Sequence, residues 1–257
     1  MATVNGHTPA PREREQEWDS ARRVQEIVLG AREVRYGDAF VVGGSTPFHA
    51  VGGDYFDILP LGEGRFRVVV ADIMGKGIGA AMLMMMVRAA VRALSLTVTH
   101  PGELVRAVNG LLFTDLHPLA SFLTMSCVDV DFERGRAVCA NGGHPYPVLF
   151  RAGATQGERI KVRGCMLGVL SDRQFEEISM DLRCGDTLLL YTDGLVEAMT
   201  PEGGRFGFAG LERIMLSLLG QPPGAIIPGA ITRLIASTGP EGIRDDLTLA
   251  LVGANPT

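Results

Sequence analysis

The chain has 257 residues, 46% of them hydrophobic, and a formal charge of −5. That length buries a substantial core in one large domain or two small ones. The acidic balance and the lack of a basic cluster, with Lys76 and Lys161 the only lysines, exclude nucleic acid as an expected partner.

Residues 1–11 are polar and proline-containing and read as a disordered lead-in without the apolar core of a signal peptide. Residues 12–29 read as a helix in which Trp18, Ala21, Gln25 and Val28 are spaced like a and d positions. Two readings stay open: a coiled coil that pairs two chains into a homodimer, and an amphipathic helix folded onto its own domain. Gly30 terminates it. Residues 1–30 are thus a lead-in and a dimerisation or regulatory helix, ahead of a domain at 31–257.

From Ala39 to Ala71 the chain reads as strands broken by Gly43-Gly44, Gly52-Gly53 and Gly62-Glu-Gly64. Gly77–Leu96 is the longest apolar run, but Arg88 and Arg92 lie four apart on one helical face. It predicts a helix of a soluble protein with no membrane insertion. Gly102–Asp115 follows as a second helix opened by Pro101. Strands are expected at Phe122–Asp131, Arg136–Ala140, Tyr146–Arg151, Arg159–Val162, Gln174–Leu182 and Asp186–Tyr191. Helices at 207–220 and 224–237 then precede a last strand at Leu247–Val252. Runs of strands punctuated by paired helices predict an α+β fold. Cys127, Cys139, Cys165 and Cys184 show no C-x-x-C spacing. Free thiols in a reducing cytoplasm are expected instead of a zinc knuckle or redox pair.

Asp54, Asp72, Asp193 and Asp245 each sit where an apolar strand-like run begins or ends. Singly, each reads as a turn residue. Gathered at one sheet edge, they would repel one another unless a cation neutralised them. An oxygen-only ligand set suits Mg²⁺ or Mn²⁺.

Five motifs in register carry a resemblance. They are Val51-Gly-Gly-Asp-Tyr-Phe-Asp57, Ala71-Asp-Ile-Met-Gly-Lys-Gly-Ile-Gly-Ala-Ala81, Asn141-Gly-Gly-His-Pro145, Tyr191-Thr-Asp-Gly-Leu-Val-Glu-Ala198 and Asp245-Asp-Leu-Thr248. The set resembles the SpoIIE/RsbU branch of the metal-dependent serine/threonine protein phosphatases, from about Gly30 to Val252. The resemblance implies a four-layer α-β-β-α sandwich, with a central antiparallel β-sandwich and two Mn²⁺ or Mg²⁺ ions at one end. Asp54 would contact the metals, Asp72 would bridge them, the Ile73 carbonyl would ligate one, and Asp193 and Asp245 would complete the second. A hydroxide held between the ions would attack phosphorus in line.

The implied substrate is phosphoserine or phosphothreonine on a regulatory protein, such as an anti-sigma-factor antagonist in a partner-switching pathway. An activating protein is implied as a further partner. Rival readings are a partner-binding pseudophosphatase and a hydrolase of small phosphoesters. Relatives outside this branch place a histidine where Met74 stands, so a general acid worth roughly 10²–10⁴-fold is missing there.

The remaining motif residues keep two readings. Asp57 is expected to face away from Asp54 along its strand and, like Asp246 beside Asp245, to support the site without ligating. Lys76 in Gly75-Lys-Gly77 reads as a phosphate cradle or as part of a glycine-rich turn. His144 reads as a general acid or ligand, or with Asn141 as a turn between strands. Glu197 reads as a helix-capping or solvent-facing carboxylate. The methionines at 82 and 84–86 read as core, or as a surface that helps switch activity.

Overall fold

The structure, a computed structural model, describes residues 11–254, with side-chain surroundings for residues 15–253. The expected lead-in therefore lies outside the described residues, apart from Pro11. That proline opens helix α1 (Pro11–Leu29), where a missing N–H is harmless.

One antiparallel sheet runs in the order β1 (Arg32–Tyr36), β2 (Ala39–Thr46), β11 (Leu247–Ala254), β10 (Thr187–Tyr191), β7 (Val148–Phe150), β8 (Glu158–Arg159). The other runs β3 (Tyr55–Gly62), β4 (Arg65–Ile73), β5 (Leu123–Asp131), β6 (Arg136–Gly142), β9 (Glu177–Asp181). Helices α2 (Ile78–Leu94) and α3 (Pro101–Leu116) cover the second sheet, and α5 (Gly207–Leu216) and α6 (Pro223–Thr238) cover the first. This is the expected α-β-β-α sandwich.

Strand alternation builds three apolar layers. On β4, Val69, Ala71 and Ile73 face α2 and α3, while Val68 and Val70 enter the layer between the sheets. On β11, Leu247, Leu249 and Leu251 face α5 and α6, and Ala250 and Val252 face inward. Both faces of these strands are covered, which is why their sequences read as unbroken apolar runs. The sheets meet closely: a Cβ on Gly43 would stand 2.3 Å from the Phe56 ring.

Several elements are shorter than the sequence predicts. The strand expected at Tyr146–Arg151 contracts to β7, and of the strand expected at Arg159–Val162 only Arg159 is extended, joined in β8 by Glu158 before it. Pro145 and Pro147 lack the ladder donor, and Val162 turns back to the Ile160 carbonyl at 2.9 Å. The helix expected to reach residue 220 ends at Leu216, and its last N–H groups close turns onto Met215 before Gly220 at φ 86°. No helix among the described residues is long and apolar enough to cross a membrane.

Two buried ion clusters fasten helices to the second sheet. Arg67 spans both oxygens of Asp129 at 2.7 Å and donates to the Val98 carbonyl in the α2–α3 connection at 3.0 Å. Asp57 is wholly buried beneath α2, held by Arg32 at 2.8 Å, Arg92 at 2.6 Å and the Tyr55 hydroxyl at 3.1 Å. Asp57 therefore ties the end of α1 and the start of β1 to the last turn of α2, at a distance from the acidic end of the sandwich.

Candidate metal centre

The antiparallel register brings the acids to one end. Tyr55 pairs with Ala71 across the β3–β4 hairpin, so Asp54 before β3 and Asp72 late in β4 share an edge. Tyr191 pairs with Leu249 across β10 and β11, which does the same for Asp193 and Asp245. Asp54 joins the two edges. Its Oδ2 accepts from the Thr192 hydroxyl at 2.8 Å and from the Thr248 hydroxyl at 2.6 Å, both on the opposite sheet. Sequence reasoning did not single out either threonine, although both stand inside quoted motifs.

The electrostatics are those of crowded carboxylates. Burial raises Asp72 to about 7, and the charges of Asp193, Asp245 and Asp246 push the same way while Lys76 opposes them. Burial, then the Asp72 charge, lifts Asp54 well above the usual carboxylate range against the two threonine hydrogen bonds. Asp193 is raised by burial and by its neighbours Glu197 and Asp245. A cluster in which each charge penalises the next is a place where a cation is strongly favoured.

The donor set also fits a hard cation, since every candidate is an oxygen. The Ile73 carbonyl belongs to the same corner, where a Cβ on Gly53 would stand 2.9 Å from it. The acids do not yet close around one point. Among the described residues, no group of three or more His, Cys, Asp or Glu side chains is arranged to hold an ion as it stands. Two contacts account for part of this: Asp54 is turned onto its threonines, and Lys76 Nζ sits 2.7 Å from Asp245 Oδ2 while also donating to the Arg244 carbonyl.

Asp246 does different work from its neighbour. Its carboxylate accepts the backbone N–H of Phe48 at 2.7 Å, Gly53 at 2.7 Å and Asp54 at 3.3 Å. It thereby sets the turn that aims Asp54. Gly52 is required beside it, because a Cβ there would fall 2.1 Å from Asp246 Oδ2. From the other side, Gln25 of α1 clamps Gly52 with both ends of its amide. It donates to the carbonyl at 2.7 Å and accepts the N–H at 2.9 Å.

The other motif residues lie around this corner. Asn141 accepts the His144 N–H at 2.7 Å and donates to its carbonyl at 3.0 Å, closing the loop after β6. His144 Nδ1 meets the Thr124 hydroxyl at 2.8 Å, opposite Asp72 in the β4–β5 register. Burial drives His144 down to about 3, so the ring is neutral. Glu197, in the short helix α4 (Gly194–Glu197), accepts from Arg205 at 2.8 Å. Met84 is fully buried and Met82 is 67% exposed, so the methionines divide between core and surface.

The chain is similar in sequence and in fold to known proteins. The chain is 27% identical to phosphoserine phosphatase RsbU of Bacillus subtilis (strain 168) over 188 residues, 73% of this chain and 55% of that protein. It therefore spans little more than half of that relative's length. The RsbU and RsbW domains of Rv1364c from Mycobacterium tuberculosis superpose with a TM-score of 0.71 and 28% identity, over 90% of this chain and 62% of that one. The SiaA-PP2C domain of Pseudomonas aeruginosa has the same fold, with a TM-score of 0.78 and 21% identity over 95% of this chain and 98% of that one. The family described as Stage II sporulation protein E (SpoIIE) matches residues 62–255. That span runs from the end of β3 through β4–β11 and includes Asp72, Asp193 and Asp245, and the chain belongs to the SpoIIE family.

Proposed function

We propose that this chain is a metal-dependent serine/threonine protein phosphatase that acts in the cytoplasm on a phosphorylated regulatory protein, such as an anti-sigma-factor antagonist. The observation that carries the reading is the meeting of Asp54, Asp72, Asp193 and Asp245 at one end of the sandwich, where burial and mutual repulsion raise Asp54 and Asp72. Asp54, Asp72, the Ile73 carbonyl, Asp193 and Asp245 would hold two Mn²⁺ or Mg²⁺ ions. Bound there, the cations would supply an activated water and neutralise the phosphoryl oxygens.

The residues around the acids supply positioning. Thr192 and Thr248 hold the Asp54 carboxylate from the opposite sheet, and Asp246 holds the backbone that carries it. Such preorganisation is what lets charge develop on the phosphoryl group without reorganising the site. Met74 is 43% exposed beside the acids and has no transferable proton. Protonation of the departing seryl or threonyl oxygen falls to water or to the substrate itself, which makes for slow turnover. Control by dimerisation or by an activating protein is supported by α1, whose Val24 and Ile27 are 53% and 81% exposed.

The test is hydrolysis of p-nitrophenyl phosphate with Mn²⁺, then of a phosphoprotein against free phosphoserine. Wild type is expected to turn over with Mn²⁺, to stop reversibly in EDTA, and to prefer the phosphoprotein. Asp72→Ala is expected to remain folded and inactive. Hydrolysis that persists in EDTA, or a fully active Asp72→Ala, would refute the mechanism. Binding of a phosphoprotein without hydrolysis would leave a pseudophosphatase, and equal use of phosphoserine a small-phosphoester hydrolase.

A further inference from the structure

We propose that Lys76 is a competitor for the metal built into the chain: its ammonium and a divalent cation take the Asp245 carboxylate in turn, and cation binding expels Lys76 into the adjoining cleft. The proposal rests on the metal centre of the phosphatase reading and adds to it a residue that sets how readily that centre loads.

The geometry carries the argument. Lys76 Nζ lies 2.7 Å from Asp245 Oδ2 and also donates to the Arg244 carbonyl, so the ammonium caps the residue at both ends. Among the four acids the contrast is chemical: neutral hydroxyls hold Asp54, whereas a full positive charge holds Asp245. An ammonium is a compact point charge with no acceptor of its own. A small dication bound at about 2.0–2.1 Å from the same carboxylate would stand against that charge at close quarters. The two cannot share the oxygen without strong repulsion, so one must leave.

The surroundings allow Lys76 to leave. Its side chain is 43% exposed, so burial does not lock it in place. Gly75 at φ 107° and Gly77 at φ 72° flank it with open space where a Cβ would stand, which frees the loop to re-aim the side chain. A cleft of about 400 Å³, lined by Trp18, His49, Ala50, Lys76 and Gly77, adjoins it. The Phe48 ring, 5.6 Å from Nζ, offers the displaced cation a face.

Lysine usage supplies an internal control, because Lys76 and Lys161 are the only lysines in the chain and Lys161 is exposed. The experiment acylates the whole protein with an acetyl-succinimide reagent at one fixed pH, in EDTA and in saturating Mn²⁺. Lys76 and Lys161 are then quantified by peptide mass spectrometry, and Mn²⁺ binding is followed by calorimetry on the same samples. The Lys76-to-Lys161 ratio is expected to rise about fivefold with Mn²⁺, the factor for a partner that holds its site four-fifths of the time. Asp245→Asn is expected to show the high ratio already in EDTA. Lys76→Met is expected to bind Mn²⁺ about fivefold more tightly than wild type. A ratio that stays level or falls while calorimetry shows Mn²⁺ bound overturns the competition and leaves the phosphatase reading standing. Failure of wild type to bind Mn²⁺ at all overturns both.

Discussion

Asp245 and Asp246 are adjacent in sequence, and replacing each should have very unequal consequences for stability. Asp246 is buried and accepts three backbone N–H groups, two of them at 2.7 Å and the Asp54 N–H at 3.3 Å. A hydrogen bond to a charged group contributes roughly 1.5–3 kcal/mol, and an orphaned buried donor costs on the same order. Asp246→Ala therefore loses about 3–6 kcal/mol from the two short bonds, with little from the third. Part is returned, because Asp246 also penalises the charges on Asp54 and Asp72. A net loss of about 3–4 kcal/mol is expected, against a total that for most domains is only about 5–15 kcal/mol. Asp245, by contrast, is 41% exposed, and its partner Lys76 is 43% exposed. Asp245→Asn should shift stability by less than about 1 kcal/mol. Urea denaturation in EDTA measures both, with an unchanged m-value required for the comparison. If Asp246→Ala costs under about 1 kcal/mol, or Asp245→Asn costs as much, the division of labour argued from the hydrogen bonds is wrong.

Three further outcomes follow from the same geometry. Asp72 is raised to about 7 in the fold, so the folded protein keeps a proton there that the unfolded chain releases near pH 4. Stability from this group is present below that pH and is lost as pH rises to 7, by about 4 kcal/mol at most. Asp72→Asn should therefore gain on wild type between pH 4 and 7 in thermal melts with EDTA. A constant gap would contradict the shift, and the opposing slope from neutral His144 is common to both proteins. Arg92→Met should cost about 2–3 kcal/mol in chemical denaturation, because Asp57 is left buried with Arg32 as its remaining cation; an unchanged midpoint refutes this. Gln25→Ala should cost about 1–3 kcal/mol by removing both bonds to Gly52. It should also speed amide exchange at Gly52 and Gly53, and exchange identical to wild type counts against the clamp.

The layers were legible because both faces of each sheet are apolar and the helices are amphipathic, so period and punctuation located them. The four acids were legible because each stands at the end of such a run. What surrounds them was not legible. Thr192 and Thr248 reach Asp54 across 138 and 194 residues, and Lys76 reaches Asp245 across 169. No local pattern announces a contact made by folding two sheets together. Gln25 shows the same limit. Its spacing counts it among the a and d positions of a helical seam, whereas in the structure its amide holds the Gly52 backbone. Strand alternation did flag Asp57 as turned away from Asp54, but its burial between two arginines required knowing where α2 lies.

The hydroxyls that grip Asp54 from across the sandwich make the site a late product of folding. Neither sheet alone can present the full set of oxygens, so a half-collapsed chain has no pocket to offer. On the proposed metal centre, manganese affinity would therefore gauge whether the two halves have docked. Any substitution that wedges them apart, even at Phe56 deep in the seam, should surface first as weakened ion capture.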